Sequence, residues 1–419
     1  MMESSFSINK LKSWLMYAFA FIAFVSPNMW SSVPLFNSQV ERLVQYLILF
    51  LLLVYISKLK KWKKYKVVFW FGICALVGIF RGIFAADCYW EYNQLTIGVM
   101  CLSLPLFVYL FDNPTFSLRF NRMWLRWCML AFFLFFLWTC GPTQFYLSPL
   151  FFFALFFFEI PKKWRFLIGL CLFMMALQLG SRAQVMKVAV SLCFALAYWF
   201  RKYISVAYLR ILHWAFYGIA ILLLFLGIMG YYNFFSDGVA GGGDRTGKYE
   251  YAGSGSTETE DLASDTRTFI YNEVITSALS HDYVLLGRTP ALGNDSFFFD
   301  DINKNYPKQI RFMNELCHTN IFTWLGFVGL VLYALIYLRA SWLAVYRSRS
   351  FALKIIGCYI AFHWMFGWIE DMNRFDISNI SMWVVFAMGF SPAFREMSEQ
   401  QFMLWFKSIF RKNESTMVC

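Results

Sequence analysis

The amino-acid sequence predicts an all-α, polytopic integral membrane protein, and three observations carry this prediction. Apolar residues make up 59% of the 419 residues and charged residues only 15%, against roughly 25% charged residues in an average soluble domain. The mean hydropathy is +0.52. Apolar stretches of about 20 residues, the length that a helix needs to cross the hydrocarbon core, recur along the chain, and about twelve of them fit.

The predicted spans leave one large loop. The chain divides into spans one to nine within 1–231, an outer loop at 232–317, spans ten to twelve within 318–395, and a cytoplasmic tail at 396–419. The individual spans are placed near 14–34, 39–57, 67–86, 94–111, 123–140, 145–160, 166–180, 183–200, 211–232, 318–338, 351–369 and 377–394. Pro27 and Pro34 interrupt the first span, so an irregular segment is expected there.

Cations indicate the orientation of the chain in the membrane. Lysine and arginine concentrate in alternate loops, for example in "KLKKWKKYK" (58–66) and "PKKWR" (161–165). Because cytoplasmic loops carry an excess of cations, both termini are expected in the cytoplasm and the large loop outside. Topology and contact with anionic lipid then account for the net charge of +12 without a nucleic-acid partner.

The outer loop is predicted to have two parts. Residues 236–264 are rich in glycine, serine, threonine and acidic residues, which is typical of a flexible segment. An amphipathic helix is predicted at about 265–281, with Asp265 as its N-cap. The residues at helical spacing are Phe269, Ile270, Val274, Ile275 and Ala278. Arg267 lies in its first turn, where its positive charge is repelled by the positive end of the helix dipole. An anionic ligand bound there would be attracted both by Arg267 and by the helix N-terminus.

Four motifs carry a family resemblance. They are "LGSRAQ" (179–184), "TRTFIYNEV" (266–274), "LLGRTPALG" (285–293) and "HTNIFTWLGFVGLVLY" (318–333). In their order and spacing they resemble the O-antigen ligase and O-antigen polymerase superfamily of bacterial membrane glycosyltransferases. The resemblance covers residues 178–187 and 265–338 together with the topology, and no single motif is specific.

The resemblance implies an enzyme of the bacterial inner (cytoplasmic) membrane. Such an enzyme transfers a glycan from undecaprenyl pyrophosphate to a sugar hydroxyl at the outer face, and it uses no cofactor or metal. A polymerase of O-antigen, capsule or exopolysaccharide is the leading hypothesis, with membrane lipid, a flippase and a chain-length regulator as partners. An O-antigen ligase acting on lipid A core is one alternative, and a lipid-linked glycan flippase or transporter is another.

Cations near the outer surface are the candidate ligands of the pyrophosphate. A forked guanidinium suits the charge that develops on this leaving group. The candidates are Arg182, Lys187, Arg267, Arg288, Arg81 and Arg311. Arg182 and Arg288 are also expected to act in catalysis. For each of these cations the alternative is a membrane-surface anchor or a solvated charge.

The base that activates the acceptor hydroxyl is left open between two residues. Family members carry a histidine eleven residues before a closing Gly-x-x-Gly, which begins here at Gly326. Glu315 occupies that position, and His318 follows three residues later on the same face if the segment is helical. Either side chain could serve as the base, and the missing histidine argues against the ligase. His281 is interpreted as a C-terminal helix cap.

Overall fold

The computed structural model is predominantly helical. It describes residues 2–25, 38–136, 146–177, 182–228, 246–250, 257–261, 268–296 and 310–411. Helices long and apolar enough to cross a membrane are found at Ile8–Val25, Gln39–Lys58, Lys66–Ala85, Tyr89–Phe111 and Cys317–Arg347. The prediction of a helical chain with membrane-spanning segments is confirmed at this level. The count of twelve spans and the side of the large loop stay predictions.

In their described residues, the first four predicted spans are helical, while Pro27 and Pro34, where an irregular segment is predicted, lie outside the described residues. The elements are α1 (Met2–Val25), α2 (Ser38–Lys58), α3 (Lys66–Ala85), α4 (Tyr89–Ser103), a 3-10 turn (Leu104–Phe107) and α5 (Val108–Phe111). The 3-10 turn lies at Pro105, which has no N–H for the regular helical ladder. Trp70 and Phe80 on α3 are 57% and 62% exposed, as expected for a surface that faces lipid.

The region of the fifth predicted span is distorted. α6, Pro114–Met123, begins at the capping side chain of Asn113. It continues through π-helical turns at Trp124–Cys128 and Phe132–Phe136, on either side of α7, Met129–Ala131. Trp124 and Phe132, one in each π-helical turn, are buried.

The sixth predicted span, 145–160, is not a continuous helix. In its described part, helical residues at 146–147, α8 (Leu150–Ala154) and a 3-10 turn (Phe157–Glu159) are separated by turns. Every side chain from 150 to 156 is buried, so protein surrounds this irregular backbone. Irregular backbone at membrane depth is tolerated only under that condition.

Four further predicted spans correspond to apolar helices shorter than a full span. After α9 (Lys162–Leu177), these lie in α10 (Arg182–Trp199), α11 (Val206–Ile228), α14 (Phe351–Phe366) and α15 (Ile377–Phe390). The chain ends with α16 (Pro392–Arg395) and α17 (Glu399–Ser408). Ser398 and Gln401 form a capping box at the start of α17.

The loop between α11 and the next long helix contains strands as well as a helix. β1, Thr246–Glu250, pairs antiparallel with β2, Thr257–Asp261, inside the segment predicted to be flexible. Threonine and tyrosine favour extended backbone, which gives these residues a local reason to pair. A two-stranded ribbon is at best marginally stable alone.

The predicted loop helix is present as α12, Thr268–Ser280. Ile270, Val274 and Ala278 are buried as their spacing predicts, whereas Ile275 is exposed. Asp265, its predicted N-cap, lies outside the described residues. Beyond α12, β3 (Asn294–Asp295) pairs with β4 (Ile310–Arg311) and closes the loop onto itself.

The longest helix, α13 (Cys317–Arg347), is broken at Gly326, where φ is +67° and ψ is −165°. It packs against α3, α14 and α15 at the centre of the bundle. Four of its core side chains are Trp324, Tyr333, Ile336 and Tyr337. This position makes α13 the element around which the loop is organised.

Contacts between distant residues define two ends of the bundle. At the end that carries the loop, here called the loop end, Gln45 donates to the Phe375 carbonyl, Gln94 to the Phe312 carbonyl and Lys187 pairs with Glu370. At the opposite end, the pairs are Lys64–Asp112, Arg201–Glu159 and Lys407–Glu159. Loops predicted to share a side of the membrane therefore meet.

Candidate functional site

Residues 283–293, here called the inserted segment, lie between α3, α4 and α13. Two glycines provide the space, because a Cβ at Gly98 would lie 2.6 Å from the Pro290 side chain and one at Gly78 would lie 3.7 Å from it. Arg81 donates to the carbonyls of Leu286 and Gly287 at 2.7 and 3.0 Å. Arg81 therefore ties α3 to the inserted segment.

The inserted segment crosses α13 at its break. The N–H of Phe327 donates to the Val284 carbonyl at 2.8 Å, and the N–H of Arg288 donates to the Thr323 carbonyl at 2.7 Å. A Cβ at Gly326 would lie 2.3 Å from the Leu285 oxygen. The glycine-containing motifs at 285–293 and 326–329 thus meet, and the segment satisfies backbone groups that the break leaves open.

Arg288 is held on the surface of the inserted segment by a carboxylate. Its Nη1 donates to Asp295 Oδ1 at 2.7 Å and to the Gly293 carbonyl at 3.0 Å. The other carboxylate oxygen of Asp295 accepts from His281 Nε2 at 2.5 Å. Burial raises the pKa of Asp295, but the hydrogen bonds from Arg288 and His281 outweigh it and lower the pKa, so the carboxylate stays charged.

Arg311 and Glu273 form a buried ion pair beneath α12. Arg311 Nε lies 3.4 Å from Glu273 Oε2, and each side chain is only 8% exposed. Ser296 donates to the other oxygen of Glu273 at 2.8 Å. Burial lowers the pKa of Arg311, although the negative charges of Glu273 and Glu315 act to raise it. Arg311 is therefore integrated into the loop fold, with Glu315 nearby.

Lys187 has a carboxylate partner inside the protein. Its Nζ lies 2.6 Å from Glu370 Oε2 and faces the rings of Phe151 and Phe366. Gln184 donates to Glu370 Oε1 at 3.0 Å. This arrangement neutralises Lys187 and holds α10 against the turn after α14. The burial of Lys187 is thus explained without a phosphate ligand.

The two expected bases do not share a helix face. α13 begins at Cys317, with Leu316 extended, so Glu315 precedes the helix and is exposed, whereas His318 is fully buried. The periodicity argument fails because the chain is extended just where it was assumed to be helical.

His318 is enclosed by aromatic rings. Its Nε2 donates to the Trp364 carbonyl at 2.8 Å, and its ring centroid lies 4.2 Å from that of Trp364 and 4.7 Å from that of Trp368. Within the described chain, Nδ1 is buried and has no hydrogen-bond partner. His318 in this state connects α13 to α14, and an acceptor hydroxyl cannot reach it without rearrangement.

A network of buried amides near the start of α13 was not predicted. Asn320 exchanges hydrogen bonds with the Asn314 backbone, while Asn373 donates to the Cys317 carbonyl at 2.8 Å and accepts from Tyr333. Asp371 accepts from the Asn373 N–H. Burial raises the pKa of Asp371. The signal in the sequence was the pair Asn314 and Asn320 at the start of a predicted span. Asparagine at such a position is equally well explained by a helix cap or a turn.

Two predicted ligands remain without a described side chain. Arg182 is the first residue of α10, at the loop end, and Arg267 lies outside the described residues. Among described residues, no group of three or more His, Cys, Asp or Glu could hold a metal ion. No family model, curated protein or solved structure matches the chain.

Proposed function

We propose that the chain is a membrane glycosyltransferase that extends a polysaccharide. The donor would be a glycan on undecaprenyl pyrophosphate and the acceptor a sugar hydroxyl at the outer membrane face. The observation that carries this proposal is Arg288, which the inserted segment holds at the break in α13. Its guanidinium is oriented by Asp295 and its side chain remains 17% exposed.

Arg288 has the donor geometry that a pyrophosphate requires. Nη1 donates to Asp295 and to the Gly293 carbonyl, which leaves Nη2 and Nε as donors among the described residues. Two parallel N–H groups match two phosphate oxygens, and they would stabilise the charge that forms as the bond to the anomeric carbon breaks. Asp295 would hold the fork in place before substrate binds, at no cost during the reaction.

The distribution of polar groups favours transfer at a surface over transport through the bundle. Arg81, Lys187, Arg288 and Arg311 all lie at the loop end. Transporters instead place their substrate sites near the middle of the membrane, often between broken helices. The break at Gly326 is filled by the inserted segment, so it supports the loop and leaves no central path there.

The proposal is tested with purified protein and a panel of synthetic undecaprenyl-pyrophosphate oligosaccharides. Lipid-linked products are separated on a gel. A ladder is expected from the wild type, with at least tenfold less product from Arg182→Lys and Arg288→Lys, since lysine cannot form the bidentate contact. Arg349→Lys, at the exposed opposite end, is the matched control.

Wild-type yields from Arg288→Ala and Arg182→Ala at normal protein levels would contradict the proposal. A product that forms only when lipid A core is added would identify the ligase. Vectorial movement of the lipid-linked glycan in vesicles, without new glycosidic bonds, would identify the transporter.

A further inference from the structure

His281 and Asp295 form a dyad beside Arg288 that the sequence did not indicate. One carboxylate joins the two side chains, because Asp295 Oδ2 accepts from His281 at 2.5 Å and Oδ1 accepts from Arg288 at 2.7 Å. An ionised carboxylate can only accept, so Nε2 of His281 carries the proton and Nδ1 is the basic nitrogen. The His281 side chain is 43% exposed.

Asp295 is fixed from several directions. It lies in β3, paired with Ile310 of β4, and its N–H donates to Ser277 Oγ at 3.0 Å. Tyr283 donates to the same hydroxyl at 2.8 Å. The backbone that carries this carboxylate is therefore fixed, as expected for a group that orients other side chains.

Stability does not explain this arrangement. Ion pairs between exposed side chains contribute only about 0–1 kcal/mol, and the backbone N–H of His281 already satisfies the Ser277 carbonyl at the end of α12. A carboxylate that orients an imidazole and stabilises its protonated form is instead the arrangement used to make histidine a general base.

We propose that His281 is the general base for the acceptor and that Asp295 positions it, a role that rests on the proposed glycosyl transfer. The acceptor hydroxyl gives its proton to His281 Nδ1 while its oxygen forms a bond to the anomeric carbon of the donor. The bond from that carbon to the pyrophosphate oxygen breaks, and the electron pair leaves with the pyrophosphate, which Arg288 holds. The base, His281, and the ligand of the leaving group, Arg288, are thus both hydrogen-bonded to the carboxylate of Asp295.

Access rules out one of the bases expected from the sequence, because His318 is sealed within aromatic rings. Glu315 is exposed, but its charge acts on Arg311, whereas His281 is both exposed and oriented by a carboxylate. Among the described residues, the charged groups at the His281 ring are Asp295 from β3, which makes the hydrogen bond, and Arg288 through that carboxylate. The adjacent Asp282 is exposed.

The test measures initial rates and their pH dependence with the lipid-linked oligosaccharide that the wild type polymerises. His281→Gln keeps a donor to Asp295 but has no base, so kcat is expected to fall about 100-fold or more and the acidic limb of the profile to disappear. Asp295→Asn is expected to lower kcat and displace that limb. Asp282→Asn, the same change one residue from His281, is expected to preserve both.

Each outcome is decisive. A wild-type rate and an unchanged acidic limb in His281→Gln would overturn the role of His281 and leave the proposed function standing. Loss confined to Glu315→Gln would assign the proton to Glu315 and likewise overturn it. Absence of polymer from the wild type with every donor in the panel would overturn the proposed function, and this role with it.

Discussion

Gly326→Ala is expected to destabilise the protein strongly, because the inserted segment crosses α13 there. The backbone at φ +67° and ψ −165° lies in a region that is nearly exclusive to glycine, at a cost of about 1–3 kcal/mol for other residues. The new Cβ would also lie 2.3 Å from the Leu285 oxygen and 2.4 Å from the Gly287 nitrogen. Both are backbone atoms and cannot rotate away.

Relief of this overlap requires the two backbones to separate. That would weaken the hydrogen bonds from Phe327 to Val284 and from Val328 to Leu285, each worth about 0.5–1.5 kcal/mol. With the conformational cost, the loss of unfolding free energy is expected to reach about 3 kcal/mol or more.

The assay is denaturant unfolding in mixed micelles, followed by tryptophan fluorescence. Gly218→Ala is the matched control, since a Cβ at Gly218 would meet no atom of the described residues within 4 Å beyond its own helix backbone, and it is expected to stabilise α11 by about 0.5–1 kcal/mol. If Gly326→Ala were as stable as Gly218→Ala, the crossing of the inserted segment and α13 would be refuted.

Three further predictions concern the ion pair between Lys187 and Glu370, the pH dependence of stability, and the hydrogen bonds from Arg81 to the inserted segment. Lys187→Met and Glu370→Gln should each lower the unfolding free energy by about 3 kcal/mol, and the double variant by less than their sum, in a thermal double-mutant cycle. Burial raises the pKa of Asp376 to about 6. The native state therefore binds this proton more tightly than the unfolded state, and its contribution to stability is lost as pH rises from about 4 through 6. Asp376→Asn, which still caps α15, should lack that component in pH-dependent unfolding. Arg81→Met should speed amide hydrogen exchange in the inserted segment, because two carbonyls lose their donor.

Three results would contradict these expectations. Additive effects in the double variant would show that Lys187 and Glu370 are not coupled. An identical pH dependence in wild type and Asp376→Asn would exclude this carboxyl as its source. Unchanged exchange rates in Arg81→Met would show that Arg81 does not restrain the inserted segment.

The sequence pattern predicted the structure correctly where that structure depends on residues close together in the chain. The spacing of Ile270, Val274 and Ala278 predicted the buried face of α12, since residues four apart lie on one side of a helix. It failed at Ile275, because periodicity gives the width of an apolar face only approximately. It also failed at Glu315 and His318, where the helix begins later than assumed.

The sequence by itself determined the class of the protein and where its polar groups fall along the chain. Hydropathy shows which segments avoid water, and glycine shows where the backbone must pass closely or turn unusually. Tertiary structure alone decided the chemistry of those groups. The partner of Lys187 is Glu370, and the contact that splits α13 comes from residues 284 and 285. Partners so distant in sequence leave no local pattern, yet they decide which cations are already neutralised and which side chains can reach a substrate.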